Sequence, residues 1–311
     1  MTAMGPTVFP IPAISPMGHG EQRAIAFGGG GEWFVYWLLG YGVTAKARGV
    51  DLALADLTIG TSAGSVIGSY LSAGILDEAH AKLSELAAHP EAMAEMVVTD
   101  TGAESQLRAT QITSSATSTE LQSIREIGRA AMAARNTPAE QYIAALHQLL
   151  GGMAWPSPKH HVTAVDCYTG ELVIVSSDSG IDIATACAAS SALPGVNGPV
   201  WLGDHFCMDG GISPSSTHSD VLAGAERVLI FSMMSRPPKS GSFGLTMRTN
   251  PDEIREEVTY LESKGATVKL VCADPADGID FMDPTQLGSA LGLGAARAES
   301  DIADLTSFWN G

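Results

Sequence analysis

The chain has 311 residues, of which 45% are hydrophobic, and its formal net charge at pH 7 is -17. This length suffices for one large α/β domain with a substantial buried core. The negative charge argues against nucleic acid as a partner and against electrostatic attraction to an anionic membrane surface. Any contact with lipid is therefore expected to be apolar.

The N-terminal residues 1–20 are rich in proline and glycine, and they lack both a basic start and a continuous apolar core. We interpret them as a flexible tail rather than a signal peptide, and residues 21–311 as a single domain. No later segment reaches the roughly eighteen uninterrupted apolar residues typical of a membrane span. The sequence thus predicts a soluble, cytoplasmic protein.

The first predicted strand, Ala24 to Phe27, leads directly into a glycine-rich turn and then an apolar helical pattern. Glycines at such a turn expose backbone N–H groups, which suits an oxyanion hole or a phosphate cradle. The glycine fingerprints of nucleotide-binding turns are absent, which disfavours the cradle. The four turn residues are Gly28, Gly29, Gly30 and Gly31.

A second glycine turn follows the apolar run Leu52 to Ile59, which we predict to be a strand, and precedes a helix-compatible segment, Ser65 to Ala73. A strand, a tight turn and a helix with serine at the apex form a nucleophile elbow. The helix N-terminus there favours the negative charge of an acyl-transfer intermediate. The elbow consists of Gly60, Thr61, Ser62, Ala63 and Gly64.

Residues 78–158 differ from the rest of the chain because they are rich in Ala, Glu and Gln and have helical periodicity. We interpret them as a helical insertion beside the elbow, either a mobile lid or an ordinary cover of one sheet face.

Later strand-like runs are separated by helical patterns, which predicts a three-layer α/β fold: a mostly parallel sheet covered by helices on both faces. A loosely helical segment at 284–309 is expected to close the core, although contact with a membrane or a partner is the alternative. The predicted strands lie at 162–165, 172–176, 227–232 and 268–272, a turn at Asp204 and His205, and a further helix at 252–263.

Asp209 comes directly after the run Val200 to Met208 and is followed by Gly210 and Gly211. Alone, such a motif is most often a turn. Combined with a serine elbow upstream, it makes Asp209 a candidate general base, because a buried carboxylate can acquire a pKa high enough to accept the serine proton.

Together these segments resemble the patatin-like phospholipase family over roughly residues 22–235. The resemblance rests on the glycine turn, the elbow, the segment at 188–194 (AASSALP) and the Asp-Gly-Gly motif, in the family's order and approximate spacing. It implies a patatin-like fold and a serine–aspartate dyad that hydrolyses lipid acyl esters, as phospholipases A, lipases and esterases do. Ser62 would be the nucleophile, Asp209 the base, and the glycine turn the oxyanion hole.

The chain departs from the family pattern at two places. After its glycines the family usually has a small residue, then Arg or Lys, then Gly, where this chain has Glu32, Trp33 and Phe34. The missing positive charge favours a neutral ester or an unusual acyl substrate. Where the family often has Asn and Pro after the aspartate motif, this chain has the loop 213–216 (SPSS).

Three alternatives remain open at this stage. A Ser-His-Asp hydrolase would use the same elbow with His218 as its base. A non-catalytic lipid- or acyl-binding protein would keep the fold without turnover, and an acyltransferase would use the same dyad with an acceptor other than water.

No cofactor and no metal site is predicted, because no His, Cys and carboxylate cluster has ligand spacing. Four cysteines without C-x-x-C spacing favour buried free thiols. The expected partners are a lipid or other acyl-ester substrate and, transiently, a membrane or micelle surface.

Overall fold

The computed structural model describes residues 16–89, 91, 102–116, 118–235, 253–276 and 278–311. Most of the expected N-terminal tail, residues 1–15, lies outside these ranges. The strands are β1 Arg23–Phe27, β2 Leu57–Thr61, β3 His160–Asp166, β4 Leu172–Val175, β5 Val200–Leu202, β6 His205–Asp209, β7 Arg227–Ser232 and β8 Thr267–Cys272. The α-helices of the described ranges are α1 Gly31–Ala47, α2 Ala63–Ser72, α3 Leu76–Ala87, α4 Glu104–Ser115, α5 Leu121–Ala133, α6 Ala139–Leu149, α7 Ile183–Ser190, α8 Glu253–Ser263 and α9 Leu287–Asn310.

The strands form one mixed sheet in the order β5-β6-β3-β2-β1-β7-β8, with β4 paired to β3. The five strands from β3 to β8 along this path are parallel, whereas β4, β5 and β6 are antiparallel to their neighbours. The mostly parallel α/β sheet predicted from the sequence is therefore confirmed.

Alternate side chains of the central strands enter cores on opposite faces of the sheet. Ile25 and Phe27 of β1 pack in the core beneath α1 and α2. Ala24 and Ala26 face the second core, which includes Leu261 of α8. Helices therefore cover both faces, as expected for three layers.

Strand β6 continues the sheet where β2 ends. Thr61 of β2 pairs with Thr163 of β3, and Asp209 of β6 pairs with the next residue, Ala164. Because β4 occupies the other side of β3 at Ala164, β2 and β6 lie on the same side, end to end. Ser62, which directly follows β2, and Asp209, which ends β6, therefore lie close together beside β3.

The C-terminal helix α9 closes the core against α1, as predicted. The two helices approach so closely that a Cβ atom at Gly40 would lie 2.1 Å from the Leu291 carbonyl oxygen. The side chains of Leu305 and Trp309 are buried. The aromatic residues early in α1 also pack in the core, where Trp37 stacks on Phe34 with their ring centroids 5.7 Å apart.

The described part of the segment at 78–158 is mainly helical, since it contains most of α3 and all of α4, α5 and α6, joined by irregular connections. Ile124 and Ile127 of α5 are buried with Val165 of β3 and Met208 of β6. This part of the insertion therefore packs on the sheet. Its action as a lid stays a prediction.

One predicted strand has different bounds. The apolar run 52–59 is interrupted by a 3-10 turn, Leu52–Leu54, because Asp51 caps it through the Ala53 N–H; the strand begins at Leu57. The run 200–208 forms a hairpin, with β5 and β6 paired antiparallel about a turn at Gly203 and Asp204. The turn expected beside Asp204 is therefore present.

Candidate active site

Ser62 occupies a strained backbone conformation between β2 and α2. Its φ of 52° and ψ of -118° lie in a region that non-glycine residues rarely adopt. The flanking glycines permit this turn, because a Cβ at Gly60 would lie 2.5 Å from the Gly64 oxygen, and one at Gly64 would lie 2.1 Å from the Phe27 oxygen. The sharp turn presents the serine hydroxyl at the carboxyl end of the sheet.

The Asp209 carboxyl group lies beside Ser62. Its Oδ1 atom accepts the Gly211 N–H at 2.7 Å. Burial raises the pKa of Asp209 from 3.8 to about 6, although the Gly211 N–H and the Ser62 side chain both favour the ionised form and oppose this rise. A carboxylate with such a pKa can accept a proton near neutral pH.

Ser190, the last residue of α7, connects the elbow to the base loop. Its hydroxyl oxygen accepts the Ser62 N–H at 2.8 Å, and its carbonyl accepts the Gly210 N–H at 3.1 Å. The residue is fully buried. It therefore fixes the backbone on both sides of the Ser62–Asp209 pair.

The glycine turn lies against Ser62, since a Cβ at Gly29 would be 3.4 Å from the Ser62 Cβ. Two of its four N–H groups have protein acceptors: Gly28 donates to the Phe231 carbonyl at 2.9 Å and Gly29 to the Ser216 carbonyl at 3.1 Å.

The other two turn residues, Gly30 and Gly31, donate to no protein acceptor within the described ranges. This differs from the expectation that all four glycines serve an oxyanion hole. The N–H groups of Gly28 and Gly29 are already bonded to the carbonyls of Phe231 and Ser216. Gly31 has a φ of +65°, a conformation that glycine adopts without strain. The remaining donor candidates therefore begin helix α1, where the helix dipole favours negative charge.

His218 supports the base loop. Its side chain is 4% exposed, and its Nε2 lies 2.9 Å from the carbonyl oxygen of Gly210. Because a carbonyl only accepts hydrogen bonds, Nε2 carries the proton in this contact. The Nε2 atom is thus engaged by the loop backbone rather than directed to Ser62, which weighs against a Ser-His-Asp arrangement.

Helix α8 anchors the other end of the same loop through a buried carboxylate. Glu257 accepts the Thr217 hydroxyl at 2.6 Å and the Ser219 N–H at 3.1 Å. The adjacent Ser216 carbonyl is the acceptor for Gly29, so this loop joins the base, the glycine turn and α8. The variant sequence at 213–216 is therefore built into the site.

Two further titratable side chains face the dyad region. Burial raises the pKa of Glu32, in the first turn of α1, from 4.5 to about 7. Burial raises the pKa of Tyr142 in α6, and the Asp209 and Glu32 charges add to this rise, while the Ser191 side chain opposes it. The helical insertion thus places a phenol near Asp209, and the carboxyl group of Glu32 stands one position before Trp33, where the resemblance led us to expect a cation.

The structure brings the predicted elbow, base and glycine turn together at one edge of the sheet. Neither Ser190 nor Tyr142 was predicted as a site residue, although Ser190 belongs to the segment that carried the resemblance. Spacing could not identify either residue, since each reaches the site through contacts between elements distant in the chain.

The fold and the site define a three-layer α/β protein with a serine nucleophile elbow and a buried carboxyl group beside it. The family model for patatin-like phospholipases matches residues 25–219, well over half of the chain. The protein belongs to the patatin-like phospholipase family. Membership supports lipid acyl hydrolysis as the general activity.

Two solved structures show partial similarity to the chain. VipD from Legionella pneumophila aligns with 11% identity and a TM-score of 0.43 over 91% of this chain and 67% of VipD. The type III effector protein ExoU aligns with 14% identity and a TM-score of 0.33 over 92% of this chain and 54% of ExoU. No curated protein sequence matches the chain.

Two further features of the described residues concern the cysteines and the length of the apolar helices. All four cysteines are buried and unpaired, as predicted. No helix in the described part of the chain combines the length and the apolar character that crossing a membrane requires.

Proposed function

We propose that the protein is a serine-dependent lipid acyl hydrolase in which Ser62 is the nucleophile and Asp209 the general base. The observation that carries this proposal is the strained Ser62 elbow beside a buried aspartate, whose pKa is raised to about 6 by burial and whose ionised form the Ser62 side chain favours. Strain maintained at a serine beside a carboxylate is typical of an activated nucleophile.

In the first half of the reaction, the Ser62 Oγ attacks the ester carbonyl carbon while its proton passes to the Asp209 carboxylate. The carbonyl oxygen becomes an oxyanion, for which the N–H groups of Gly30, Gly31 and Ala63 are the candidate donors. When the tetrahedral intermediate collapses, the bond to the alcohol breaks and the alcohol oxygen takes the proton from Asp209. An acyl ester on Ser62 remains.

In the second half, Asp209 accepts a proton from water as the water oxygen attacks the acyl-enzyme carbonyl. Collapse of this intermediate releases the carboxylic acid, and Ser62 regains its proton from Asp209. Transfer to another alcohol would need only that alcohol in place of water. An acyltransferase would therefore use the same groups.

Turnover of a soluble p-nitrophenyl ester and of phosphatidylcholine tests the proposal with wild-type protein and Ser62→Ala. We expect Ser62→Ala to abolish turnover of both substrates. The matched control is Ser69→Ala, which removes a buried hydroxyl of α2 that bonds only within the scaffold, to the Ser65 carbonyl and near His160. Full activity of Ser62→Ala, or no turnover by folded wild-type protein, would contradict the proposal and favour a binding protein.

A further inference from the structure

We propose that Tyr168, Trp201 and Phe206, here called the aromatic patch, form the surface by which this protein docks on a neutral phospholipid layer. The proposal deepens the proposed function, since it rests on lipid being the substrate. It names the part of the protein that meets the lipid surface and the charge type of that surface.

The three rings of the aromatic patch form a contiguous cluster at the surface. Trp201 is 55% exposed and Tyr168 is 58% exposed. Phe206 lies between them, with its centroid 4.5 Å from that of Trp201 and 6.5 Å from that of Tyr168. Single exposed apolar side chains are ordinary, whereas a joined cluster of large rings marks an interaction surface.

The patch is held rigidly by one buried carboxylate. The Oδ1 atom of Asp166 accepts the N–H groups of Tyr168 and Thr169, both at 2.8 Å, while its Oδ2 lies 3.0 Å from Nδ1 of His205. The turn after β3 is thus bonded to the β5–β6 hairpin. A backbone fixed in this way loses little conformational freedom on binding.

The Cys167 N–H, which donates to the Phe206 carbonyl at 2.8 Å, adds a second link between the same turn and hairpin. With two such links, the turn after β3 and the hairpin are held in one arrangement.

The patch lies at the catalytic edge of the sheet. Strand β6 runs from His205 to Asp209 and meets the end of β2 head-on, so its start projects beyond the parallel strands. Phe206 precedes Asp209 by three residues, which places its Cα about 10 Å beyond that of the base at the usual rise per residue. Insertion of the rings would therefore bring the lipid surface to the side of the molecule where Ser62 lies.

The charge of the protein and the chemistry of the three rings indicate which type of lipid surface the patch would bind. The net charge of -17, with Asp204 in the hairpin turn itself, opposes approach to anionic lipid. Trp and Tyr rings prefer the interface between headgroups and acyl chains, since they combine an apolar body with a polar atom. A zwitterionic phosphatidylcholine surface fits both properties.

Binding to phosphatidylcholine vesicles tests the patch, measured by co-flotation of the full chain carrying Ser62→Ala so that no lipid is consumed. Vesicles of brominated phosphatidylcholine add a second readout. Trp201 is the most exposed of the five tryptophans, so it should account for most of the bromine quenching. We expect vesicle binding, and about fivefold or greater weakening by Trp201→Ala or Tyr168→Ala.

The matched control is Leu54→Ala. Leu54 is 53% exposed and precedes β2, at the opposite edge of the sheet, so its removal should leave binding unchanged. Three results would overturn the proposal: Trp201→Ala binding as well as the Ser62→Ala parent, no vesicle binding by the parent, or stronger binding to vesicles containing phosphatidylserine than to phosphatidylcholine alone. Dissociation of a dimer by Trp201→Ala would assign the patch to a second copy instead. Because soluble-ester turnover is measured separately, either proposal can fail without the other.

Discussion

The backbone N–H of Ser62 donates to the hydroxyl oxygen of Ser190 at 2.8 Å, although the two residues lie 128 positions apart in the chain. The carbonyl of Ser190 also accepts the Gly210 N–H, at 3.1 Å. One serine at the end of α7 thereby sets the position of Ser62 relative to Asp209, the proposed nucleophile and base. We expect its hydroxyl to act through geometry rather than proton transfer.

Ser190→Ala should lower kcat/KM and destabilise the fold without abolishing activity. The substitution leaves the buried Ser62 N–H without its acceptor, which costs about 1–3 kcal/mol. Ester kinetics and urea unfolding measure the two effects. Ser69→Ala, which orphans no backbone donor, should change kcat/KM little; equal losses in both variants would show that Ser190 has no special link to the nucleophile.

The pH dependence of kcat/KM should report the ionisation of Asp209. The base must be ionised, and its pKa is raised to about 6, so activity should rise with pH through that value and then level off. Below it, the rate should fall about tenfold per pH unit. A profile measured on a soluble ester with no inflection between pH 5 and 7 would contradict this assignment.

Asp209→Asn should stabilise the folded protein at pH 8 while removing activity. The folded-state pKa of Asp209 lies above its ordinary value of 3.8, so the protonated form is favoured by folding, and stability is lost as pH rises through about 6. A neutral amide avoids that loss and can still accept the Gly211 N–H.

Urea unfolding of Asp209→Asn and wild type at pH 8 and pH 4.5 checks this prediction. The expected gain in unfolding free energy at pH 8 is about 1–3 kcal/mol, and it should be much smaller at pH 4.5. An equal gain at the two pH values would mean that relief of a buried charge is not its cause.

Gly31→Ala should reduce kcat/KM by about 100-fold if its N–H serves the oxyanion hole. The φ of +65° is strained for alanine, and the new Cβ would lie 3.0 Å from the Phe281 carbonyl oxygen, so the N–H must shift. Gly288→Ala in α9 is the control, because a Cβ there meets nothing within 4 Å. A Gly31→Ala protein with wild-type kinetics would exclude Gly31 as a donor.

The local parts of the site could be predicted from the sequence, because glycines around Ser62 and after Asp209 specify turns that depend on neighbouring residues alone. The antiparallel pairing of β6 with β3 could not, since residue spacing does not say which strands become neighbours. Nor could the engaged N–H groups of Gly28 and Gly29, whose acceptors, Phe231 and Ser216, lie far along the chain. Such pairings are set by how strands assemble, which residue spacing does not encode.

The most direct test of the central claim is labelling with a fluorophosphonate probe, with the modified peptide mapped by mass spectrometry. Folded wild type, Asp209→Asn, His218→Ala and His218→Gln are compared. We expect an adduct on Ser62 that Asp209→Asn abolishes. His218→Ala should slow labelling by loosening the Gly210 contact, and His218→Gln, which keeps an N–H donor, should restore much of the rate. No adduct on Ser62 in wild type, or an adduct independent of Asp209, would contradict a serine–aspartate dyad.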